Sequence, residues 1–488
     1  MKYLTLIFLF GALTLSAQNT ADALRYSTFQ FGSTARAVGA GNAFGALGGD
    51  FSVVNQNPAG LAVYRKGEFV FTPAFYDIGT QTEVAGTVSD ETTTRFSFDN
   101  VGLVFAGRPI ATKWATSNWG IGFNRTANYH RRFNYGGSTR GSITDEFLEI
   151  ADGFLPEELD DFQAGPAFDA GAIFNPDPDD PTFYTSDFPL DSEADPLLIR
   201  KNQLVASEGG TSELSVSYAA NYDEKFMIGF TVGVPVVNYV EAKRYEEVDA
   251  NGEVDFFDEL FFDEDLTVTG IGINGKIGVI GLITREFRVG AAVHTPSWLS
   301  LEESFTTAIT YQFTDDTGVN RNQGNGADGR NEFNLRTPWR TMLSGAYLFG
   351  SNGFLSAEVE FVDQSSARFN YDDAFQADED FANEQIDQTF KSQVNFRLGG
   401  EVALQKFRAR AGVQLNGSPY ENTEDGGVGT GYSGGLGYRG NSFFADLAYQ
   451  RIEFADTYRP YRSDFLPATL ADNTTTTQRI MLTLGFKF

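Results

Sequence analysis

Few residues of this chain could do chemistry. Its 488 residues include two histidines, His130 and His294, and no cysteine. Neither histidine has the spacing of a metal-ligand set, and a chain without thiols can build neither a disulfide nor a thiolate site. There is no nucleophile elbow. The glycine-rich stretch 32–49 lacks the lysine and the strand–loop–helix setting of a phosphate loop. The sequence thus reads as a non-enzyme with no metal and no cofactor. What its spacing does supply is charge on alternate positions. Glu358 and Glu360 oppose Ala357, Val359 and Phe361, while Asn395, Arg397 and Glu401 oppose Val394, Phe396 and Leu398. Arg408 and Arg410 likewise oppose Phe407, Ala409 and Ala411. A two-residue period gathers each set on one face. Opposite signs on successive segments suit bracing ion pairs. A second cluster is apolar: Phe256, Phe257, Leu260, Phe261 and Phe262 stand in an acidic frame. Exposed apolar clusters mark binding surfaces, so these five are the candidate ligand-binding residues for a hydrophobic small molecule or lipid. Packing beneath neighbouring loops is the alternative for them.

The elements that carry these residues are strands of a particular kind. The last ten residues place Ile480, Leu482, Leu484, Phe486 and Phe488 on one face, and Arg479, Met481, Thr483, Gly485 and Lys487 on the other. An apolar face that runs to a terminal aromatic suits the closing strand of an outer-membrane barrel, whose exterior meets lipid. At the other end, Lys2 precedes an apolar run from Leu4 to Leu15, and Ser16-Ala17 follows it. That is the pattern of a signal peptide, residues 1–17, cut after Ala17. The run is too short to cross a bilayer as a helix. The composition of 52 glycines, 46 phenylalanines and 20 tyrosines, with a mean hydropathy of −0.25, fits a chain in which alternate residues touch lipid. A net charge of −29 excludes nucleic acid as a partner.

The alternation marks fourteen strands over 68–488, so the fold class is an all-β, antiparallel transmembrane barrel. Short turns such as Asn221–Lys225, Thr284–Glu286 and Gln405–Lys406 alternate with long connections, which is the arrangement of periplasmic turns and external loops. The strands are placed at Glu68–Ile78 and Thr94–Phe105, then Trp119–Tyr135, and onward to Thr476–Phe488. The second external loop, 136–212, is long and acidic. Gly141 to Ile199 holds sixteen Asp and Glu and no Lys or Arg. A solvated loop is the first reading of that run and a divalent-cation site the second. Thr144, ahead of Asp145 and Glu146, is positioned to cap a helix, and Pro156 opens a second one; together they suggest a folded lid or a docking surface. Gly120, Gly122 and Asn124 lie in the third strand, where glycine marks a bulge or bend. The fourth external loop, around Asn320–Gly326, is polar.

Residues 18–67 do not alternate and are rich in small side chains. They are too apolar for a disordered tail and too short for a domain with its own core, which points to a plug inside the barrel. The run from Gly32 to Ala62 resembles the N-terminal hatch of the outer-membrane long-chain fatty-acid and hydrophobic-compound transporter family (FadL-like). Arg36, Gly39, Gly41 and Ala43 match its small-residue stretch, and Asn57, Pro58 and Ala59 match its Asn-Pro-Ala element. The resemblance extends, through strand count and termini, over essentially the whole chain. It implies residence in the outer membrane of a Gram-negative bacterium and contact with outer-membrane lipids. It also implies passive uptake of hydrophobic molecules through lumen, hatch and a sideways opening at a kink in the third strand, for which Gly120, Gly122 and Asn124 are the candidate lateral opening. Barrels resembling this family also serve as accessory or shuttle subunits in surface secretion, so a surface protein partner is the alternative. A hydrophobic ligand in the lumen favours the first reading; a stable protein partner favours the second.

Overall fold

The computed structural model describes residues 16–488 apart from 32, 111, 189–197, 372–374, 423–424 and 467. The expected signal peptide lies outside the described residues except for Ser16 and Ala17, which begin a helix, α1 (Ser16–Ser27).

The strands are β1 (Glu68–Val84), β2 (Thr87–Gly107), β3 (Trp114–Asn128, continued by Arg131–Thr139), β4 (Ile199–Tyr222), β5 (Phe226–Val248) and β6 (Phe257–Leu282). Next come β7 (Phe287–His294 and Trp298–Asp315), β8 (Gly318–Asn325, Gly329–Arg336 and Arg340–Leu348) and β9 (Gly353–Asp363 and Arg368–Asn370). The last are β10 (Ser392–Leu404), β11 (Phe407–Asn416), β12 (Gly429–Arg439), β13 (Phe443–Tyr458) and β14 (Ala471–Lys487). Each pairs antiparallel with its neighbours, and β14 returns to β1 from Lys487↔Glu68 to Asp472↔Glu83. The result is a closed barrel of 14 strands. Closure removes every sheet edge, which is what allows a sheet to sit in hydrocarbon.

Strand ends depart from the sequence reading mainly on the outer side. β1 and β2 run on past Ile78 and Thr94 to a tight turn at Ala85-Gly86, whose φ angles are +48° and +78°. Asn320–Gly326 is not a polar loop: Gly318–Asn325 forms a hairpin with Trp298–Asp315. Polar side chains hid these extensions, because a strand above the membrane has two wet faces and no apolar stripe.

Exposure alternates along the wall. Phe96 and Phe98, Ile228, Phe230 and Val232, and Ile480 and Leu482 are exposed outward, whereas Thr231 and Met481 between them are buried. A charge on that outer face would cost about 2–4 kcal/mol at mid-bilayer, so the belt fixes which way each strand faces. Charges expected inside are inside. Arg397 contacts Glu358 at 3.1 Å and Glu360 at 2.6 Å, and Arg340 joins Glu360 at 3.2 Å. Arg410 joins Glu401 at 2.6 Å and Asp446 at 2.7 Å. All of these groups are buried, so the ladder braces the lumen as expected.

Candidate functional site

Among the described residues, the segment from Ala23 to Tyr64 lies within the barrel. Phe44, Phe51, Val53, Val54 and Leu61 have no exposed surface. Its turns are short: α2 (Ala35–Gly39) and two 3₁₀ turns, Phe51–Asn55 and Pro58–Val63. Small residues let its backbone approach the wall. Gly41 has φ +67°, and a Cβ there would lie 2.7 Å from the Leu398 carbonyl oxygen. Facing it, Gly399 and Gly412 leave no room for a Cβ beside Ala40 and Gly41, and Gly39 stands against Gly435. Asn57 caps the second 3₁₀ turn by accepting from the Ala59 amide at 3.1 Å, with Pro58 at the first position, where no donor is needed. Its amide also donates to the Gly45 carbonyl at 2.7 Å and to the Val279 carbonyl of β6 at 3.0 Å.

The wall holds the segment by side chains. Thr483 accepts from the Ala35 amide at 2.7 Å, Glu358 from the Gly45 amide at 3.0 Å, and Asn118 donates to Leu61 at 2.8 Å. Arg36 pairs with Glu401 at 3.3 Å and donates to the Gly49 carbonyl at 3.0 Å. The matched hatch residues therefore have separate tasks: Gly39 and Gly41 for close approach, Arg36 and Asn57 for polar anchoring, Pro58 and Ala59 for the turn.

Above this plug the lumen turns apolar. Tyr129, Tyr239, Val268, Leu299, Leu301, Phe333, Leu335 and Phe369 face inward and surround Ala23 and Tyr26 of α1. Tyr26 meets Tyr129 and Tyr239 edge-on at 6.1 and 6.3 Å between centroids. A second helix, α5 (Gln376–Thr389), adds Ala382 and Ile386 to the same cluster. Beneath it is a small polar cavity of about 40 Å³ beside Phe29, Glu213, Lys276 and His294. Lys276 and Glu213 pair at 2.5 Å, and His294 meets the Gln56 carbonyl at 2.8 Å. The sequence signal for this chamber was present in the inward parity of Tyr239 and Leu299, but nothing local showed that they converge.

The outer mouth is covered. In the second external loop, α3 (Thr144–Ala151) and α4 (Ala164–Ala170) bury Phe147, Ala151, Ala164, Ala167 and Ile173 against Tyr245, Ile309 and Tyr311 of the wall. Thr144 is a helical residue rather than the cap; the Ser142 hydroxyl accepts from its amide at 3.1 Å. Burial pushes the Asp145 carboxyl up to about 6 and that of Glu146 up to about 7. The five candidate ligand residues divide under this lid. Phe257, Leu260 and Phe262 are buried in its core, Phe262 edge-on to Phe147 at 5.6 Å. Phe261 is half-buried, with the Arg321 guanidinium 5.4 Å over its ring, and Phe256 alone is 60% exposed.

Gly120, Gly122 and Asn124 lie in unbroken ladder. Gly122 pairs with Gly102 and Asn124 with Asn100. A Cβ at Gly122 would collide with the Phe51 ring of the plug, so that glycine makes room inside rather than bending the strand. The break is one step higher. Among the described residues, no ladder pair joins β2 to β3 beyond Asn100↔Asn124; from there β2 pairs only with β1, and the upper part of β3 only with β4. Ion pairs span the gap instead: Arg95–Glu208 at 2.9 Å and Arg132–Glu91 at 3.1 Å. The Gln30 amide donates to the Thr126 carbonyl at 2.7 Å, so the chain leading into the plug is tied to the strand at this gap.

No family model and no curated protein matches the chain. Solved structures do. A FadL homologue of Pseudomonas aeruginosa superposes with TM-score 0.54 at 14% identity, covering 93% of this chain and 98% of that one. The toluene transporter TbuX of Ralstonia pickettii superposes with TM-score 0.50 at 14% identity, covering 94% and 99%. At such identity the likeness is one of architecture, and the 14 strands, lipid-facing belt and lumenal N-terminal segment agree with it throughout. The chain is a closed 14-stranded β-barrel of the FadL fold.

Proposed function

We propose that this barrel passively carries hydrophobic small molecules, long-chain fatty acids or similar, across the outer membrane by way of the lumen, the hatch and a lateral opening. The interrupted β2–β3 ladder beside the apolar chamber carries the reading. Toluene transport by TbuX, a structural neighbour, supports the substrate class. An apolar solute gains little from a water-filled pore, since leaving apolar surroundings costs roughly 25 cal/mol per Å². It gains from a greasy chamber and an exit into the wall. Phe256 and Phe261 stand at the rim, where a solute first lands, and Phe257, Leu260 and Phe262 act as the seat of the lid. Movement of the Gln30–Thr126 connection couples the plug to the exit. Uptake of a labelled fatty acid by cells with the chain, without it, and with Asn57→Ala and Pro58→Ala together tests this. Equal uptake in all three rejects it.

A second reading rests on the lid. Its acidic surface carries Phe154, Phe174 and Phe183 exposed, which suits a protein partner at the cell surface. Co-purification of a stoichiometric partner, with no hydrophobic ligand in the lumen, selects this reading.

A further inference from the structure

The wall has a second weak line, on the side away from the β2–β3 gap. In β5 the ladder to β6 lapses around Pro235, between Gly233↔Asn274 and Val236↔Ile271. In β7 the segment Thr295-Pro296-Ser297 interrupts the strand, and Thr337-Pro338-Trp339 interrupts β8 at the same height. In β9 the turn Gln364–Ser366 does the same. Proline has no amide hydrogen to give a ladder and is ordinarily kept out of central strands. Prolines on β5, β7 and β8 around one cavity therefore mark a built discontinuity, bridged by the Thr295 amide to the Gly275 carbonyl at 2.9 Å and the Thr337 amide to the Ser297 carbonyl at 3.0 Å.

Cavities lie on both sides of this line. On the outer face is one of about 770 Å³, lined by Ile271, Ile273, Trp298, Ser300 and Arg336, a size that suits small-molecule sites. All five of those residues are exposed. On the inner face is the polar cavity beside Phe29, Lys276 and His294. Leu299 lines both, and it is 3% exposed. Leu299, paired with Gly272 of β6 and Leu335 of β8 just above the interruption, is thus the residue common to the two cavities.

The height of the outer cavity identifies its occupant. Below it the exterior is apolar, with Trp339, Leu343 and Ile277 exposed; above it stand Arg330, Glu332 and Asn334. That change from apolar to polar is the outer-leaflet interface, where tryptophans settle. The floor is aliphatic and indole. At the polar rim Arg368 is engaged by Asp387 at 2.8 Å and Glu379 accepts from the Tyr371 amide at 2.8 Å. Arg336, among the described residues, has no carboxylate partner. Meanwhile α3 and α4 of the lid pack over the axial mouth.

We infer that the β6–β8 line is a side door from the outer leaflet into the lumen. Its outer cavity receives an amphiphile with an apolar body and one anionic head, the body on Ile271, Ile273 and Trp298 and the head at Arg336, and displacement of Leu299 admits it. The inference rests on the transport reading above and adds a way in that is separate from the β2–β3 exit.

Two measurements test it. The first uses the full chain with Trp114→Phe, Trp119→Phe and Trp339→Phe, which leaves Trp298 as its one tryptophan. ω-Bromododecanoate is expected to quench Trp298 saturably, and Arg336→Ala to shift the saturation to higher concentration. Quenching that rises linearly, as for a probe dissolved in the surrounding detergent, overturns the site. The second uses Gly275→Cys with Thr295→Cys across the β6–β7 line, where a Cβ on Gly275 would lie 3.6 Å from Thr295 Cγ2. With no native cysteine to compete, oxidation is expected to abolish dodecanoate uptake by cells, and dithiothreitol to restore it. Uptake unaffected by oxidation overturns the door. A wild-type chain that takes up no dodecanoate defeats the transport reading instead, and the Trp298 quench still reads the outer cavity by itself.

Discussion

Asn57 of the plug occupies the space that a side chain on Gly278 of β6 would need. A Cβ on that glycine would collide with Asn57 Oδ1, while the Asn57 amide donates to the adjoining Val279 carbonyl at 3.0 Å. Plug and wall are fitted to each other at this point, one residue supplying the polar group and the other the vacancy.

Gly278→Val is therefore expected to unseat the Asn-Pro-Ala turn more than Asn57→Ala does. The alanine leaves the Val279 and Gly45 carbonyls without that donor, at about 1–3 kcal/mol, whereas the valine adds a clash to the same loss. Single-channel conductance in planar bilayers should rise for both, with Gly278→Val the larger. Unchanged conductance in both would show that this contact does not hold the plug.

Gly41→Ala should loosen the plug by another route. The residue is in the left-handed region, φ +67°, and the new methyl meets the Leu398 carbonyl. Backbone strain of this kind costs about 1–3 kcal/mol. The heat needed to unfold the barrel on a gel, or the rate of protease cleavage after residue 41, reads the effect. A control at Gly86, where a Cβ meets nothing, tests the positive-φ cost alone.

Replacing Arg397 by Met strands the buried carboxylate of Glu358, which it contacts at 3.1 Å, and leaves Glu360, 2.6 Å away, to Arg340 alone. Removing one partner of a buried ion pair costs about 3–5 kcal/mol. Urea unfolding from detergent should detect a loss of that order. Adding Glu358→Gln should recover much of it, because the uncompensated charge is then gone while Glu360 keeps Arg340.

Arg95→Ser with Arg132→Ser should affect the β2–β3 gap and little else. Both ion pairs are partly exposed and contribute up to about 1 kcal/mol each. Uptake should rise modestly at low salt, and the difference from wild type should shrink as salt screens the pairs. A difference insensitive to salt would assign the gap's closure to something other than these charges.

The lid should hold more firmly in acid. Burial raises Glu146 to about 7 and Asp145 to about 6. A carboxyl raised on folding contributes its stability below its unfolded value, near 4, and loses that contribution as pH climbs through the folded one. Protease cleavage within 144–170 should then be slow at about pH 5 and faster at about pH 8. Glu146→Gln with Asp145→Asn should flatten that dependence.

The sequence alone carried the barrel. The two-residue period in strands such as Phe407–Asn416 and the apolar edge of β14 told inside from outside because lipid tolerates only one kind of face. It also set the N-terminal segment apart from the strands, since Gly39, Gly41 and the Asn57-Pro58-Ala59 element are local solutions to close approach and a tight turn. It did not tell Phe257 from Phe256: of these adjacent aromatics one is buried between Phe188 and Tyr311 and the other is exposed, and Phe188 arrives from a distant part of the second external loop. It placed the opening at Gly120 and Gly122, whereas the ladder ends above them, because a missing hydrogen bond belongs to two strands and is written in neither. For the same reason Pro235, Pro296 and Pro338 read as three separate irregularities along the chain, and only the closed cylinder sets them around one cavity.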